Sequence, residues 1–386
     1  MSPQQASRLQ AGEVRADLLL AAVLIVRNEE RHLERCLGSL SGLVDEIVVV
    51  DTGSTDASPD IARRHGARLY ELEWPNDFAA ARNWALDRTR ADWILYIDAD
   101  EHVAEPRPGG LREMLAAPDL AGCYVGLRAL RGYRPYREMR LFRNHPLIRF
   151  EGAMHETIWP GLERYRHAFG GRIGKSGLLL DHVGYEGAQD HKRDRDMPLL
   201  RRKLKDDPDH VYSWWHLGRI LVADGKVEDA RAAWQGGVEA ARRRTFRYWA
   251  DSLVYAELIQ LDFHDHARSD ALLVEAMERY PDHAYLVWLD GQRLIRDGKF
   301  EQALRRFQSL LDWDMQPHES DAFLGYPERL FGPMAFEGLA SCSFRMGRYG
   351  DSARWFKAAA QAEPERLEYR VKRDLSAKLA AEAQPS

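Results

Sequence analysis

Two carboxylates one residue apart follow an apolar segment near residue 100. Residues 93–97 read Trp-Ile-Leu-Tyr-Ile, and Asp98, Ala99, Asp100 and Glu101 come directly after them. In an extended strand, side chains two residues apart point the same way, so Asp98 and Asp100 are expected to face one site. Hard divalent cations often bind a substrate phosphate through one or two protein carboxylates. The pattern predicts a metal site for a diphosphate, although such a pair can also do no more than cap and solvate a strand end.

A third carboxylate, Asp51, ends another apolar segment and is followed by a glycine turn. Residues 48–56 read Val-Val-Val-Asp-Thr-Gly-Ser-Thr-Asp. Dinucleotide-binding sheets use an acid at this place to accept hydrogen bonds from a ribose. The same string also suits an Asx turn and a helix cap, which accounts for part of it.

Polar residues adjoin two more predicted elements. Residues 27–29 read Arg-Asn-Glu and follow the apolar residues 18–26 at the same edge of the predicted sheet. Residues 77–83 read Asp-Phe-Ala-Ala-Ala-Arg-Asn and open the helix that leads to the acidic pair. Arg82 in this string could pair with a phosphate or with a carboxylate.

The elements that carry these residues alternate between strand and helix. Short apolar runs predict buried parallel strands, and apolar residues spaced i, i+3, i+4, i+7 predict a helix between the first two. Repeated β-α-β units predict an α/β fold with a doubly wound, mostly parallel sheet that binds ligands at the carboxyl ends of its strands. We expect strands at 18–26, 46–51, 67–72 and 93–97, helices at 33–40, from 56 and at 78–88, and further strands at 122–127 and 140–143.

From about residue 205 the pattern is helical and repetitive. Small and aromatic residues recur at the offsets of tetratricopeptide repeats, in which small residues allow close helix contact and aromatic residues fill the space between paired helices. We therefore expect an N-terminal extension at 1–15, an α/β domain at 16–204 and a helical repeat domain at 205–386. The repeat positions are Trp214, Leu217, Gly218, Leu221, Ala230 and Trp234; Ala276 and Pro281; Gly291, Leu294, Ala303 and Phe307; and Phe336, Leu339, Ala340, Phe356, Ala359 and Pro364.

Composition excludes several classes of protein. A length of 386 residues favours two domains, and a net charge of −5 argues against a nucleic-acid binder. Three cysteines cannot form a disulfide framework. The apolar run at 18–26 is too short for a membrane helix and has no signal-peptide cleavage site after it. We therefore expect a cytoplasmic protein without a transmembrane segment.

Taken together, residues 25–30, 50–56, 77–83 and 98–101 resemble the family 2 glycosyltransferases of the GT-A fold. Two later strings, at 150–156 and 180–185, extend the resemblance over about the first 200 residues. The branch in question includes lipopolysaccharide-core transferases and, often with tetratricopeptide tails, bacteriocin S-glycosyltransferases of the sublancin type. The resemblance implies an inverting transfer from a nucleotide sugar, favouring a UDP-sugar, with Mn²⁺ or Mg²⁺ as cofactor.

The resemblance also implies residues for the donor site. Asp51 would contact the uridine, although the family has a second Asp where Thr52 stands. Val26, Glu29 and Asp77 would lie near the base.

For the metal and the reaction, the resemblance implies a second set of residues. Asp98 would contact the ribose or the metal shell, and Asp100 and His182 would bind the metal. The acceptor hydroxyl or thiol needs a general base, and Glu156 is our choice. Glu151 and Asp190 are the alternatives.

The sequence allows two classes of acceptor, and two other classes of function share some of its features. The repeats slightly favour a peptide or protein acceptor, docked on the repeat domain, over a saccharide or lipid-linked glycan, and they also allow a homodimer. A nucleotidyltransferase would carry a Gly-rich loop where residues 27–30 read Arg-Asn-Glu-Glu. A non-catalytic scaffold would be free to lose its acids, yet Asp51, Asp98, Asp100 and His182 are all present.

Overall fold

Strands and helices alternate in the first hundred residues, as predicted. The computed structural model describes residues 18–105, 109–129, 132–183, 190–246, 248–315, 318 and 323–383, and of 190–195 the backbone alone. The predicted extension at 1–15 lies outside these residues. The elements are β1 (Leu20–Val26), α1 (Glu30–Leu40), β2 (Glu46–Asp51), α2 (Ser58–Arg64), β3 (Arg68–Glu71), α3 (Phe78–Leu86) and β4 (Trp93–Tyr96).

These four strands form the parallel half of one sheet, in the order β3-β2-β1-β4. Alternate residues of a strand point to opposite faces. Leu20 and Leu24 accordingly pack with α1 and α2, whereas Ala21 and Val23 pack on the other face with α3. The sheet is therefore covered on both sides, and its carboxyl ends are left for loops. The predicted apolar stripe of α1 is buried at Leu33, Cys36, Leu37 and Leu40.

The other half of the sheet contains both parallel and antiparallel pairs, and the sequence did not predict which strands pair there. Its elements are β5 (Glu101–Val103), α4 (Leu111–Leu115), β6 (Leu120–Arg128), β7 (Tyr136–Arg143), α5 (Trp159–Phe169) and β8 (Arg172–His182). The full order is β3-β2-β1-β4-β7-β6-β8-β5. β7 is antiparallel to β4 and β6, β8 is parallel to β6, and β5 is antiparallel to β8.

The rest of the chain is helical. Residue contacts divide the chain into one unit of Met1–Arg131 and Pro135–Leu199 and a second unit of Gly132–Arg134 and Leu200–Ser386. The predicted boundary after residue 204 lies in the same helix as the observed one. The helices are α6 (Asp190–Asp206), α7 (Val211–Ala223), α8 (Val227–Arg243), α9 (Ser252–Leu261), α10 (His266–Arg279), α11 (Ala284–Arg296), α12 (Phe300–Leu311), α13 (Pro333–Arg345), α14 (Tyr349–Ala362) and α15 (Leu367–Glu382), with 3₁₀ turns at Trp249–Asp251, Trp313–Met315 and Glu328–Phe331.

Helix pairs in the second unit pack through glycine and aromatic residues at the predicted repeat positions. The indole of Trp234 lies against Gly218, so that a Cβ at Gly218 would overlap it. Phe307 fills the same kind of space between the predicted Gly291 and Gly338, which was not among the predicted positions; added Cβ atoms at both glycines would lie 2.6 Å from its ring. Close helix contact at these glycines is what a tetratricopeptide arrangement requires.

Two histidines cap the first helices of helix pairs. Nδ1 of His210 accepts a hydrogen bond from the Ser213 backbone N–H at 3.3 Å at the start of α7, and Nδ1 of His283 accepts one from Leu286 N–H at 3.2 Å at the start of α11. Burial lowers the pKa of His283 to about 3, so its imidazole is neutral in the folded protein.

In the part of the chain that the structure describes, no helix combines the length and the apolar character needed to cross a bilayer.

Candidate active site

Asp51 ends β2 and uses its two carboxylate oxygens differently. Oδ1 accepts hydrogen bonds from the backbone N–H groups of Gly53 and Ser54, both at 2.7 Å. Gly53 has φ +101°, a conformation that side chains with a Cβ rarely adopt. Oδ2 is buried and has no hydrogen-bond partner among the described residues. The turn therefore holds an acceptor oxygen in place at the end of the strand.

The loops after β1 and β2 are bound to each other. Asn28, at φ +55°, accepts a hydrogen bond on Oδ1 from Thr55 N–H at 2.7 Å and donates its own N–H to Ser54 Oγ at 2.9 Å. The N–H of Glu29 donates to Ser58 Oγ at 2.8 Å. Glu29 is thus placed at the start of α1 beside the Asp51 loop.

Thr52, which directly follows β2, binds the last carbonyl group of β1. Its N–H and its hydroxyl both donate to the carbonyl oxygen of Val26, at 2.8 and 3.1 Å. The side chain of Val26 is 2% exposed and lies in the core. Val26 therefore reaches the predicted site only through its backbone, and Thr52 has a structural use where the family has an acid.

Asp77 and Asn83 determine where helix α3 begins and what it packs against. Asp77 caps it, with Oδ1 accepting a hydrogen bond from Ala80 N–H at 2.8 Å. The amide of Asn83 exchanges two hydrogen bonds with the backbone of Phe150, at 2.9 and 2.8 Å. The polar residues of the string at 77–83 thus place α3 against the segment that carries Glu156.

Arg82 projects from α3 into a buried cluster. Its Nε donates to Glu156 Oε1 at 2.6 Å, and one terminal nitrogen donates to Asp98 Oδ1 at 2.7 Å. Burial opposes the charged form, but Asp98 and Glu156 outweigh it and raise the pKa of Arg82 above its ordinary value. Of the two partners predicted for Arg82, the structure shows the carboxylate. Oε2 of Glu156 accepts no hydrogen bond from the described residues.

The acidic pair lies in a turn and not in an extended strand. β4 ends at Tyr96, and Glu101 N–H donates to the Asp98 carbonyl at 3.0 Å. The expectation that strand geometry points Asp98 and Asp100 the same way was therefore wrong. Asp98 binds Arg82 and, at 3.2 Å, Arg140. Burial raises the pKa of Asp98, but these two guanidinium groups outweigh it and lower the pKa far below its usual range.

Arg140 is the site residue that the sequence analysis missed. From β7 it donates to Asp98, to Glu101 Oε1 at 2.8 Å and to Glu138 Oε2 at 2.8 Å. Burial disfavours its charged form, but Glu101 and the other carboxylates raise the pKa of Arg140 well above normal. Burial also raises the pKa of Glu101, against the opposing effect of Arg140. The sequence carries no clear signal for it, because β7 contains three arginines, at positions 137, 140 and 143.

Asp100 faces His182 across the pairing of β5 with β8. Glu101 lies opposite His182 in that ladder, and Asp100 Oδ1 is 3.5 Å from His182 Nε2. Asp100 is 8% exposed. No group of three or more His, Cys, Asp or Glu side chains in the described residues is arranged to hold a metal. One carboxylate and one imidazole nevertheless suit a divalent cation whose other ligands come from a substrate phosphate and water.

The alternative bases differ in their surroundings. The Glu151 carboxylate is 48% exposed and bound to Arg164 at 2.5 Å. Arg149 pairs with Asp87 at 2.9 Å and not with Glu156. Asp190 begins α6, and its side chain lies outside the described residues. Of the three candidate bases, Glu156 is therefore the one whose described side chain shares a partner, Arg82, with Asp98.

Comparison with known proteins gives one family. The model of Glycosyl transferase family 2 matches residues 21–172, which include most of β1, all of β2 to β7, and every candidate site residue described above except His182 and the alternative base Asp190.

Relatives extend the similarity beyond the first unit. A TPR repeat-containing protein of Synechococcus elongatus is 32% identical over 290 residues, which are 71% of this chain and 70% of the relative. The SPbeta prophage-derived glycosyltransferase SunS of Bacillus subtilis is 27% identical over 232 residues, 58% of this chain and 54% of that protein. The lipopolysaccharide core biosynthesis glycosyltransferase LpsC of Rhizobium meliloti is 34% identical over 162 residues, 37% of this chain and 58% of that protein. The chain thus spans little more than half the length of the last two.

Proposed function

Since the chain belongs to the family 2 glycosyltransferases, with a GT-A domain followed by TPR-like helices, we propose that it transfers a sugar from a UDP-sugar to an acceptor with inversion at the anomeric carbon. The observation that carries this proposal is one cluster of acids at the ends of the strands. A carboxylate–imidazole pair, Asp100 and His182, adjoins a buried ion-pair network that holds Glu156. A cation-binding pair and a base are the two groups that such a transfer needs.

The nucleotide is bound at the ends of β1 and β2 in this proposal. Oδ2 of Asp51 is a buried acceptor without a partner in the described chain, and a buried unpaired acceptor is costly unless a ligand satisfies it. The N–H of a uracil ring would do so. By position, Val26, Glu29 and Asp77 border the base, with Val26 contributing backbone only.

The diphosphate is bound at the turn after β4. Asp100 and His182 would hold Mn²⁺ or Mg²⁺, and Asp98 would contact the ribose or the metal shell. The bound cation would supply positive charge that stabilises the leaving diphosphate. The guanidinium groups of Arg82 and Arg140 together contact four carboxyl groups, those of Asp98, Glu101, Glu138 and Glu156. Because the acids of this cluster outnumber its bases, a cation beside it is favoured.

Glu156 takes the proton from the acceptor hydroxyl or thiol. Arg82 fixes one carboxylate oxygen, and the other accepts no hydrogen bond from the described residues. A held carboxylate with one available oxygen is suited to accept a proton from a nucleophile that displaces the nucleoside diphosphate in one step.

A peptide or protein side chain is the acceptor that we favour, because helical repeats commonly bind polypeptides on their concave face. A saccharide acceptor is the alternative, and the similarity to the lipopolysaccharide core biosynthesis glycosyltransferase of Rhizobium meliloti supports it.

Paired variants test the assignment of the base. Glu156→Gln keeps the size of the side chain and an acceptor oxygen for Arg82, but it cannot take a proton. We expect kcat for UDP release from a UDP-sugar to fall by about 10²–10⁴-fold. Glu151→Gln, five residues earlier in an exposed ion pair, is the matched control and should keep most activity. Equal losses in both variants, or full activity of Glu156→Gln, would show that Glu156 is not the base.

A further inference from the structure

Arg140 lies in an irregularity of the sheet. In the pairing of β6 with β7, Cys123 faces Leu141 and the next residue, Tyr124, faces Met139. Arg140 is therefore the extra residue of a β-bulge. Such bulges commonly re-aim a side chain beside an active site.

The bulge directs Arg140 at both ends of the turn formed by residues 98–101. One terminal nitrogen binds Asp98 at 3.2 Å and the other binds Glu101 at 2.8 Å. Glu101 Oε2 in turn accepts the N–H of Asp98 at 2.9 Å. The guanidinium carbon lies 4.4 Å from the centre of the Tyr96 ring, at the end of β4. Arg140 thus binds both ends of the turn, whereas Arg82 binds it at Asp98 alone.

Asp100 stands between the two residues that Arg140 holds. Its backbone carbonyl accepts the N–H of Val183 at 2.9 Å, and its carboxylate lies 3.5 Å from His182. The position of Asp100 relative to β8 therefore depends on the shape of the turn. Any relaxation of the turn would change the distance between the two candidate metal-binding groups.

We propose that Arg140 is a positioning residue for sugar transfer, which holds the turn at 98–101 so that Asp100 faces His182. This inference rests on the proposed function of the same site. A lysine cannot replace it fully, because one ammonium group does not present the planar fork that reaches three carboxylates at once.

The test compares Arg140→Met and Arg140→Lys with Arg143→Met. Arg143 lies three residues further along β7, and its guanidinium binds the backbone carbonyls of Leu120, Ala117 and Pro118. Its loss removes three side-chain hydrogen bonds of the same strand, two of them partly buried, without touching the cluster. Melting temperature is measured with UDP over a Mn²⁺ titration, and kcat and KM for the UDP-sugar are measured beside it.

We expect Arg140→Met to need about 10- to 100-fold more Mn²⁺ for the half-maximal UDP-dependent shift and to lose kcat/KM by a similar factor. Arg140→Lys should lose less, and Arg143→Met should melt lower but keep the wild-type Mn²⁺ requirement.

Wild-type Mn²⁺ dependence in Arg140→Met, or an equal change in Arg143→Met, would overturn the positioning role. Removing one member of a buried ion cluster is costly, so far-UV circular dichroism is measured first. If Arg140→Met is unfolded, Arg140→Lys decides, and a wild-type Mn²⁺ requirement there overturns the proposal. Absence of any Mn²⁺- or UDP-dependent shift in the wild type would instead overturn the proposed function, and this inference with it.

Discussion

At the scale of single residues, the two carboxylate oxygens of Asp51 have different surroundings. Oδ1 closes the turn through Gly53 and Ser54, whereas the buried Oδ2 has no hydrogen-bond partner among the described residues and is the atom that we propose for the nucleotide. The sequence allowed both a turn-forming and a nucleotide-binding interpretation of this acid. The structure shows that the two are compatible, because they use different oxygens.

Asp51→Asn separates the two uses. The asparagine oxygen can still accept the N–H groups of Gly53 and Ser54, but its amide nitrogen would meet the uracil N–H as a second donor. We expect the fold to be kept and UDP binding to weaken by about 1–3 kcal/mol, roughly 5- to 150-fold in Kd. Isothermal titration calorimetry with UDP and Mn²⁺ measures this. An unchanged Kd would remove Asp51 from the donor site, and a melting temperature far below wild type would show that the turn itself had failed.

Single residues also mark the limit of sequence reasoning about the site. Asp98 and Asp100 were found from their spacing, but their directions were not, because β4 ends two residues before Asp98. Arg140 was missed, because its orientation results from a β-bulge, and the pattern of one strand does not reveal how its neighbour pairs with it.

At the scale of elements, local pattern predicted the four strands of the first half of the sheet, the helices between them, and the helical character of the chain after about residue 205. β2 has the predicted bounds, and the predicted stripe of α1 is buried, since both depend on short-range periodicity. The mixed order of β5 to β8 was not predicted. Strand direction there depends on pairing between residues far apart in the chain, such as Glu101 with His182.

Packing at Gly218 gives a prediction for helices α7 and α8. Gly218→Ala would place a methyl group against the Trp234 indole, and overpacking should lower the free energy of unfolding by about 1–3 kcal/mol. Gly350→Ala in α14 is the control, because no atom lies within 4 Å of its added Cβ. Helix propensity should make it neutral or stabilising by up to about 1 kcal/mol. Urea unfolding followed by tryptophan fluorescence compares them, and equal midpoints would contradict the packing described for Trp234.

The cap of α11 predicts how stability depends on pH. Burial lowers the pKa of His283 to about 3, whereas an unfolded chain protonates histidine near pH 6.5. The unfolded state therefore binds more protons between these values. The stability that neutral His283 contributes is present above pH 6.5 and is lost, at up to about 1.4 kcal/mol per pH unit, as the pH falls toward 3.

His283→Asn tests this, because asparagine caps a helix without titrating. Wild-type protein should lose stability more steeply than His283→Asn between pH 6.5 and 4, as measured by thermal unfolding. His264→Asn, at an exposed histidine, should follow the wild-type slope. Parallel curves for wild type and His283→Asn would show that the buried imidazole does not set the slope.

At the scale of the whole molecule, the chain combines a family 2 glycosyltransferase domain with TPR-like helices. The candidate donor-side residues lie in the first unit, and all of them except His182 lie within the region that the family model matches. Donor binding can therefore be measured on the full chain without knowing the acceptor, and it is the claim on which all the assignments above depend.

A thermal-shift measurement with UDP tests this central claim most directly. The full chain is melted with UDP, a panel of UDP-sugars or GDP-mannose, each with Mn²⁺ and with EDTA, beside the variant Asp100→Asn. A ligand at 100 times its Kd stabilises the folded state by about 2.7 kcal/mol, a shift of about 3 °C if all 386 residues unfold together and a larger one if the first unit unfolds separately. We predict this shift for UDP species with Mn²⁺, and its loss with EDTA or in a folded Asp100→Asn. Equal shifts with EDTA, or no shift with any UDP species, would contradict a metal-dependent UDP-sugar site.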